Sequence, residues 1–295
     1  MGRKLIKFIA LQKEINKEIE SYLLLIKDSA LCAPISYALS SNGKRLRPIL
    51  TKIMAKSVGK EYKVGKSALA IELFHTASLI ADDLPCMDND DERRGKPSLH
   101  RKFKESTALL ASYALLTEGF SQIEQSGREY FEKGYGTKED AQNRICMALK
   151  ETARLSGPLG AALGQYFDIE QANAENFEAF EELYYLKTGT LFQGAFTLGY
   201  IFGGGELKNL YLVEKLARHL GLAFQIRDDL EDVNEERTSF SKKFGTEVSI
   251  ERCKKEIEGF FSSLNLLKLD ASLFEEMINF LFPKETFQFS LDEPL

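Results

Sequence analysis

The stretch ADDLPCMDNDDERRG, residues 81–95, places acidic side chains close together and follows them with two arginines. Its carboxylates belong to Asp82, Asp83, Asp88, Asp90, Asp91 and Glu92. Residues 69–81 are apolar at helical spacing, which predicts a buried helix that ends near Asp82 and Asp83. Because that end carries the negative pole of the helix dipole, each carboxylate there is disfavoured by roughly 0.3–1 kcal/mol. The pattern therefore predicts a compensating cation close by.

The residues after this helix predict a loop. Pro85 biases Leu84 away from helical geometry, so Asp88 is expected on a loop that can fold back beside Asp82. Two carboxylates with room for water and phosphate oxygens suit Mg²⁺ better than a softer metal. The alternative is a solvated acidic loop, which is the commoner state of an acidic run. A calcium EF-hand loop is excluded, because Arg93 and Leu99 occupy its glycine and glutamate positions.

A second acidic segment, FQIRDDLEDV, lies at residues 224–233 and ends another apolar run. Asp228 and Asp232 are spaced i, i+4 with Asp229 beside them, so they share a helical face. Like charges at this spacing destabilise a helix by a few tenths of a kcal/mol, roughly. Two such segments, each at the polar end of an apolar helix, favour metal binding over two solvated loops.

A basic segment, GKRLRP at residues 43–48, precedes an apolar helix predicted over 49–58. Alone it is typical of an ordinary basic turn. With acidic metal sites elsewhere it becomes a candidate diphosphate clamp, since arginine binds phosphate oxygens bidentately and lysine acts as a point charge. His75 lies two turns before Asp82 and points the same way, although a lone histidine on an apolar helix is more often a core residue.

These segments, with Lys187-Thr188-Gly189 and Phe224-Gln225, resemble the trans-isoprenyl diphosphate synthases of the farnesyl and geranylgeranyl diphosphate synthase type. The resemblance runs from Asn42 to Val233 in the family's own order. It implies an all-α fold: one helical bundle of the isoprenoid synthase type with a central apolar cavity. Residues 1–295 would then form a single polyprenyl synthetase domain.

The resemblance also implies roles for individual residues. The Mg²⁺ ligands would be Asp82, Asp88, Asp228, Asp229 and Asp232. The groups closest to catalysis would be Asp82, Asp83, Asp88, Lys187 and Asp228. Isopentenyl diphosphate would be held by Lys44, Arg47, His75 and Arg94. The allylic diphosphate would be held by Arg93, Lys187, Thr188 and Gln225, with Gln165 and Asp168 facing the cavity.

The implied reaction is a short-chain trans-prenyl transfer, in which isopentenyl diphosphate condenses with dimethylallyl, geranyl or farnesyl diphosphate and diphosphate is released. Ala77 and Ser78 would set the product length. Ala77 lies about 7.5 Å down the helix from Asp82, where the resembled farnesyl-producing enzymes carry an aromatic ring. Geranylgeranyl diphosphate is therefore predicted before farnesyl diphosphate, with Phe74 and Tyr113 as the residues still able to close the pocket.

Three departures from the resembled family leave alternatives open. Ala81 replaces a histidine, Ser112-Tyr113 replaces a Gly-Asp pair, and the segment after Asp232 is shortened, with Lys242 and Lys243 as candidate substitutes for its lysines. One alternative is a non-catalytic or weakly active subunit of a prenyl synthase pair. The other is a terpene cyclase, which would have no use for a second diphosphate clamp.

Composition restricts the remaining classes of protein. The chain has 295 residues, 44% of them hydrophobic, a net charge of −5 and no basic stripe, which argues against nucleic acid as a partner. Its four cysteines are scattered without metal-ligand spacing, which favours reduced thiols in a cytoplasmic protein. Residues 188–205 are uncharged but contain six glycines, so an integral membrane segment is not predicted. The resemblance implies a homodimer.

Periodicity predicts the helices along the chain. They are expected over residues 1–27, 33–41, 49–58, 69–83 and 106–125, then up to residue 155, over 157–169 and 187–205, and from residue 206 through the second acidic segment. Residues 127–140 are polar, with a connection expected near Lys133-Gly134, and apolar residues at helical spacing recur over 251–282. The last residues, Pro283 to Leu295, are predicted to be frayed.

Overall fold

α-Helices make up nearly all the regular structure of the computed structural model, which describes residues 2–40, 43–60, 62–170, 176–231 and 239–283. The first half contains α1 (Gly2–Leu25), α2 (Cys32–Leu39), α3 (Leu46–Ser57), α4 (Gly65–Asp82), α5 (Leu99–Lys102), α6 (Glu105–Glu132) and α7 (Lys138–Ser156). The second half contains α8 (Ala161–Ile169), α9 (Phe177–Tyr184), α10 (Thr190–Phe202), α11 (Leu210–Glu231), α12 (Phe240–Phe244), α13 (Thr246–Leu266) and α14 (Ser272–Leu281). The predicted all-α fold is confirmed.

Helix α10 lies at the centre of the bundle. Of its residues, all but Leu191 are buried, and a helix that is apolar on every side belongs in a core. It packs against α3, α4, α7 and α11. The start of α3 meets the second half of α4, where Arg47 contacts His75, two turns before Asp82. This arrangement brings the basic segment of α3 to the same end of the bundle as Asp82.

The long helix α6 differs from the prediction. It continues to Glu132, past the predicted end at residue 125. Gly127 is a packing residue here, because an added Cβ would overlap the side chain of Ile145 on α7. The chain turns at Gly134, where φ is +71°, which confirms the connection predicted near Lys133-Gly134.

Two further predictions change at the helix ends. The helix expected at 157–169 begins at Ala161, after a turn at residues 157–160. The helix expected to start at Lys187 corresponds to α10, which begins at Thr190. A π-helical turn, Tyr185–Gly189, joins α10 to α9 without a break. The apolar tail forms α13 and α14, whereas residues 284–295, which were predicted to be frayed, lie outside the described ranges. No helix in the described ranges combines the length and the hydropathy needed to cross a membrane.

Candidate active site

The first acidic segment folds back as predicted. Helix α4 ends at Asp82, and the backbone N–H of Asp88 donates to the Asp82 carbonyl at 2.9 Å. Burial, together with the charge of Asp88 and against the opposing charge of Lys187, raises the pKa of Asp82 to about 7. The two carboxylates thus repel each other in a partly desolvated place, where a bound cation would relieve both.

The predicted compensating cation is Arg93, which binds the other carboxylate at the helix end. Its Nε donates to Asp83 Oδ1 at 2.9 Å, and its Nη2 donates to Asp83 and, at 3.1 Å, to Asp90 Oδ2. Arg93 belongs to a short hairpin in which Glu92–Arg93 pairs with Lys96–Pro97. In this arrangement Asp83 and Arg93 hold each other, and the contact of Arg93 with an allylic diphosphate stays a prediction.

The hairpin turn brings Arg94 to the basic segment. Arg94 and Gly95 both have positive φ, 55° and 73°, as a two-residue hairpin turn of this kind requires. The Arg94 guanidinium lies against Gly43, where an added Cβ would sit 2.5 Å from Nη1. Lys44 is exposed beside it, at the rim of a cleft of about 520 Å³ between α1 and α2. The structure therefore brings Lys44 and Arg94, predicted from distant parts of the sequence, close together.

Two residues that support the basic segment were missed by the sequence analysis. Arg45, with φ of +52°, is buried and donates to Glu72 and to the Leu39 carbonyl. Glu72 is 2% exposed in the middle of an apolar helix. A carboxylate at such a position is costly unless it is paired, so an acidic residue within an apolar run was the available signal.

Arg47 and His75 form the most informative pair in the site. Arg47 Nη1 lies 3.3 Å from His75 Nε2, and because a guanidinium can only donate, Nε2 accepts and Nδ1 carries the proton. Arg47 Nε and His75 Nδ1 are then buried donors with no acceptor among the described residues. A buried donor without an acceptor costs about 1–3 kcal/mol. An anion that accepted from both would recover that free energy.

The surroundings of His75 lead to a pH prediction. Burial lowers the pKa of His75 well below 6.5, and the charges of Arg47 and Arg94 lower it further. Below pH 6.5, the unfolded chain binds a proton on His75 that the folded chain does not bind. As the pH is lowered below 6.5, the free energy of unfolding should therefore decrease, by up to about 1.4 kcal/mol per pH unit from this residue. Urea unfolding at pH 7.5 and pH 5.5 measures the fall, which should be smaller in His75→Gln. An equal fall in both proteins contradicts the assignment.

The π-helical turn contains Lys187 and Thr188, which are predicted to bind the allylic diphosphate. Lys187 Nζ donates to Asp168 Oδ2 at 2.8 Å, and Thr188 Oγ1 donates to Gln225 Oε1 at 2.8 Å. Both bonds join predicted site residues that are distant in sequence. Lys187 is thus held within a continuous helix and not at a helix amino terminus, which corrects the prediction.

Two glycines on neighbouring helices leave room for this turn. An added Cβ at Gly164 of α8 would lie 2.5 Å from the Leu186 carbonyl carbon. An added Cβ at Gly221 of α11 would lie 2.9 Å from Gly189 Cα. Backbone contacts this close cannot be relieved by moving a side chain. Packing against α8 and α11 therefore fixes the turn.

Gly221→Ala should destabilise the protein by about 1–3 kcal/mol, because the new methyl group overlaps the backbone of Gly189. Gly194→Ala on α10 is the matched control. Its Cβ would meet the flexible Ile71 Cδ1 at 3.0 Å, and alanine favours a helix over glycine by about 1 kcal/mol. Thermal unfolding of both variants gives the comparison. Equal effects would mean that the approach of α11 to the turn is not tight.

The carboxylates of the second acidic segment have protein partners. Arg227 donates to Asp228 Oδ1, while Asp229 accepts from Tyr184 and from the backbone N–H of Phe240, the latter at 2.9 Å. Asp229 thereby holds α12 and α9 to α11. Asp232 lies outside the described residues, and the ligand roles of all three aspartates stay predictions.

Other predicted residues have described positions. Gln165 Nε2 is a buried donor without a described acceptor, on the same helix as Asp168. Lys242 and Lys243 lie on α12, where Lys243 Nζ is 5.5 Å from the centre of the Phe180 ring. Their substitution for the family's lysines stays a prediction.

The chain-length residues lie between α4 and α6. Ala77 is buried, and its carbonyl accepts from Ser112 Oγ at 2.8 Å, while Ser78 Oγ donates to the His75 carbonyl at 2.9 Å. Tyr113 is 57% exposed, so within one chain it does not close a pocket beneath Asp82.

Phe74 is the other residue considered for closing the pocket. It is buried against α6, in contact with Gly119 and edge-on to Phe120. A cleft of about 780 Å³ lies at the carboxyl end of α3, whereas Arg47 is at its amino end. None of the predicted site residues lines this cleft. The central apolar cavity stays a prediction.

The residues present fit a hard cation that is shared with a ligand. Within the described ranges, no group of three or more His, Cys, Asp or Glu side chains surrounds a single point. Asp82 and Asp88 offer oxygen donors, and the raised pKa of Asp82 indicates an uncompensated pair. Mg²⁺ is typically bound by one or two carboxylates together with water and phosphate oxygens. The donor set is therefore of the right type.

Comparisons with known proteins identify the family of the chain. Residues 28–254 match the family model described as polyprenyl synthetase. Geranylgeranyl pyrophosphate synthase 4 of Arabidopsis thaliana is 35% identical over 242 residues, which cover 80% of this chain and 62% of that relative. The match thus spans less than two thirds of the plant protein.

A bacterial relative and a solved structure match more completely. Farnesyl diphosphate synthase of Geobacillus stearothermophilus is 34% identical over 247 residues, which cover 82% of this chain and 80% of that relative. The crystal structure of a geranyltransferase from Legionella pneumophila has a TM-score of 0.81 at 28% identity and covers 94% of this chain and 96% of its own. That residues 1–295 form one domain stays a prediction. The chain belongs to the polyprenyl synthetase family.

Proposed function

We propose that the chain is a Mg²⁺-dependent short-chain trans-prenyltransferase, which condenses isopentenyl diphosphate with an allylic diphosphate and releases diphosphate. The observation that carries the proposal is the pair of buried donors, Arg47 Nε and His75 Nδ1, which have no described acceptor. His75 lies on α4 two turns before Asp82, where the following loop folds Asp88 back. A site with donors for one anion and carboxylates for a second, metal-bound anion suits two diphosphate substrates. The named activities of the relatives support the same reaction.

The residues of the π-helical turn would hold the allylic substrate. Lys187 donates to its diphosphate, and Thr188 does so once its single O–H turns from Gln225 Oε1, to which it donates in this structure. Asp82 and Asp88 on one side and Asp228 on the other would hold Mg²⁺, which would supply positive charge against the leaving diphosphate. Placing fixed cations where negative charge develops is usually the largest contribution to such catalysis.

The basic segment would hold isopentenyl diphosphate. Lys44, Arg47 and Arg94 supply positive charge, and neutral His75 donates from Nδ1. In the condensation, the C–O bond of the allylic substrate breaks, a C–C bond forms to isopentenyl diphosphate, and one proton leaves the new chain. The departing diphosphate accepts that proton, so no protein nucleophile is required.

Geranylgeranyl diphosphate is the proposed principal product. Two observations support it. Residue 77 is an alanine and carries no ring, and the ring of Phe74 packs against Gly119 and Phe120 of α6. Chromatography of products labelled from isopentenyl diphosphate tests the length. Elongation that stopped at farnesyl diphosphate would contradict it.

One assay tests the reaction itself. The purified chain is incubated with Mg²⁺, isopentenyl diphosphate and each allylic primer, and both prenyl products and released diphosphate are quantified. Products that require both substrates support the proposal. Turnover of an allylic diphosphate alone to a hydrocarbon would indicate a cyclase. Absence of turnover until a second type of subunit is added would indicate a non-catalytic partner.

A homodimer is part of the proposal. Helix α6 exposes a row of apolar side chains, Leu109, Leu110, Tyr113 and Leu116, which are 38–57% exposed. A contiguous exposed apolar face of this kind is typical of an interaction surface. Sedimentation equilibrium should give twice the 33.3 kDa chain mass. A monomer at micromolar concentration would contradict this part.

A cytoplasmic location is also proposed. All four cysteines are free thiols, and two of them, Cys86 and Cys146, are exposed, as suits a reducing compartment.

A further inference from the structure

We infer that Phe192 and Arg227 are positioning residues, which together with Phe224 hold Arg47 at a fixed place relative to the second acidic segment. The four side chains, here named the Arg47–Arg227 stack, connect the two diphosphate sites of the proposed function. The inference rests on that function, because it concerns how its two substrates are kept in register.

The stack is a continuous series of contacts. The Arg47 guanidinium lies 5.1 Å from the centre of the Phe192 ring. Phe192 packs on Phe224 with ring centroids 5.0 Å apart and an angle of 48° between the rings. The Arg227 guanidinium lies 4.2 Å from the centre of the Phe224 ring. Two cations therefore bracket two aromatic rings, and each cation is within cation–π range of its ring.

The far end of the stack is anchored. Arg227 Nη1 donates to the Leu281 carbonyl at the end of α14 at 3.2 Å, and its Nη2 donates to Asp228. Its guanidinium also lies 5.8 Å from the centre of the Phe282 ring. The end of α14 and a proposed metal ligand are thus tied to the same buried arginine.

The near end has no comparable anchor. Arg47 has a buried Nε without a described acceptor, and its one described side-chain bond is to His75. The Phe192 ring therefore contributes to where the guanidinium lies before substrate binds. Phe192 is fully buried, and its ring packs on Phe224, which in turn contacts Arg227.

A guanidinium is a costly group at the place of Arg227, although it also donates to the Leu281 carbonyl. It is 6% exposed, and burying a guanidinium costs several kcal/mol of desolvation, roughly, which an apolar residue between two phenylalanines would avoid. A charged group at this place is useful when it fixes the positions of neighbouring groups. The neighbours here are a proposed metal ligand and, through two rings, a proposed substrate clamp.

The test uses Phe192→Leu, Arg227→Lys and the double variant. Phe192→Leu keeps an apolar side chain but removes the ring, and Arg227→Lys keeps a cation beside Asp228 but removes the planar group. Each should raise KM for isopentenyl diphosphate about three- to tenfold, with kcat and KM for the allylic primer within about twofold. Because the residues act through one another, the double variant should be no worse than about the larger single effect.

Calorimetric titration of isopentenyl diphosphate without Mg²⁺ or primer gives a second readout. The same variants should weaken Kd by the same factors. If the wild-type chain binds and the variants weaken binding, but nothing turns over, the stack stands and the proposed function fails. If the wild-type chain turns over and the variants bind as it does, or if their effects multiply in the double variant, the inference is overturned.

Arg144→Lys is the matched control. Arg144 is also buried, lies 4.9 Å from the centre of the Tyr130 ring and donates to the Gly205 carbonyl at 2.9 Å, but it sits at the other end of α10. It should lower the melting temperature as the test variants do and leave KM for isopentenyl diphosphate unchanged. A similar rise in KM would show that general loosening of the bundle explains the test variants.

Discussion

Asp82→Asn should reduce kcat for product formation by about a hundred- to a thousandfold, because it removes a charged oxygen ligand at the site of leaving-group stabilisation. The same change should raise the free energy of unfolding at pH 8. Burial and Asp88 raise the pKa of Asp82 to about 7, so above that pH its ionised form destabilises the folded chain, and the amide has no such form. Steady-state turnover and urea unfolding measure the two effects.

The control for this variant is Asp91→Asn in the same loop. Asp91 is exposed and pairs with exposed Arg101 at 2.5 Å. Exposed pairs contribute roughly 0–1 kcal/mol, so turnover should stay within about twofold of the wild type. If Asp82→Asn kept wild-type turnover, or if the two variants lost activity equally, the role of Asp82 would be refuted.

Arg47→Lys should lower kcat/KM for isopentenyl diphosphate by about a hundredfold while KM for the allylic primer changes little. The change keeps the charge but removes the planar group that contacts Phe192, together with the Nε donor. Losing one partner of a buried, hydrogen-bonded charge contact costs about 2–5 kcal/mol. Initial rates with each substrate varied in turn separate the two constants.

Arg101→Lys makes the same chemical change at an exposed position, since the Arg101 side chain is 52% exposed. It should leave both constants unchanged. Equal losses for the two substrates in Arg47→Lys would place Arg47 between the sites and not in the clamp for isopentenyl diphosphate. That outcome would also require the Arg47–Arg227 stack to be reconsidered.

The predictions that succeeded rest on local chemistry. Pro85 acts on its immediate neighbours to end the helix, whatever the rest of the fold. The loop that returns Asp88 to Asp82 could therefore be foreseen. The resemblance assigned Thr188 and Gln225 to the same substrate, and the structure joins these distant residues by a hydrogen bond that was not itself predicted. The cation beside Asp83 was foreseen from charge balance alone.

The predictions that failed depend on neighbouring helices. The helix predicted to end at residue 125 continues through Gly127, where α7 packs closely against it. The π-helical turn before α10 could not be predicted from periodicity, since Gly164 and Gly221 of other helices leave room for it. Arg45, Glu72 and Arg227 were missed as supporting residues because their partners are distant in the sequence.

The order of apolar and acidic residues was enough to establish an all-helical chain with carboxylates at two helix ends, because helix periodicity, proline and the helix dipole act over a few neighbouring residues. Which groups meet was decided by the packed bundle: Arg47 against His75 and Phe192, Lys187 against Asp168, and Asp229 against Phe240. Contacts of this kind, and the burial that raises the pKa of Asp82, depend on several helices at once, and side-chain spacing along a single helix carries no information about them.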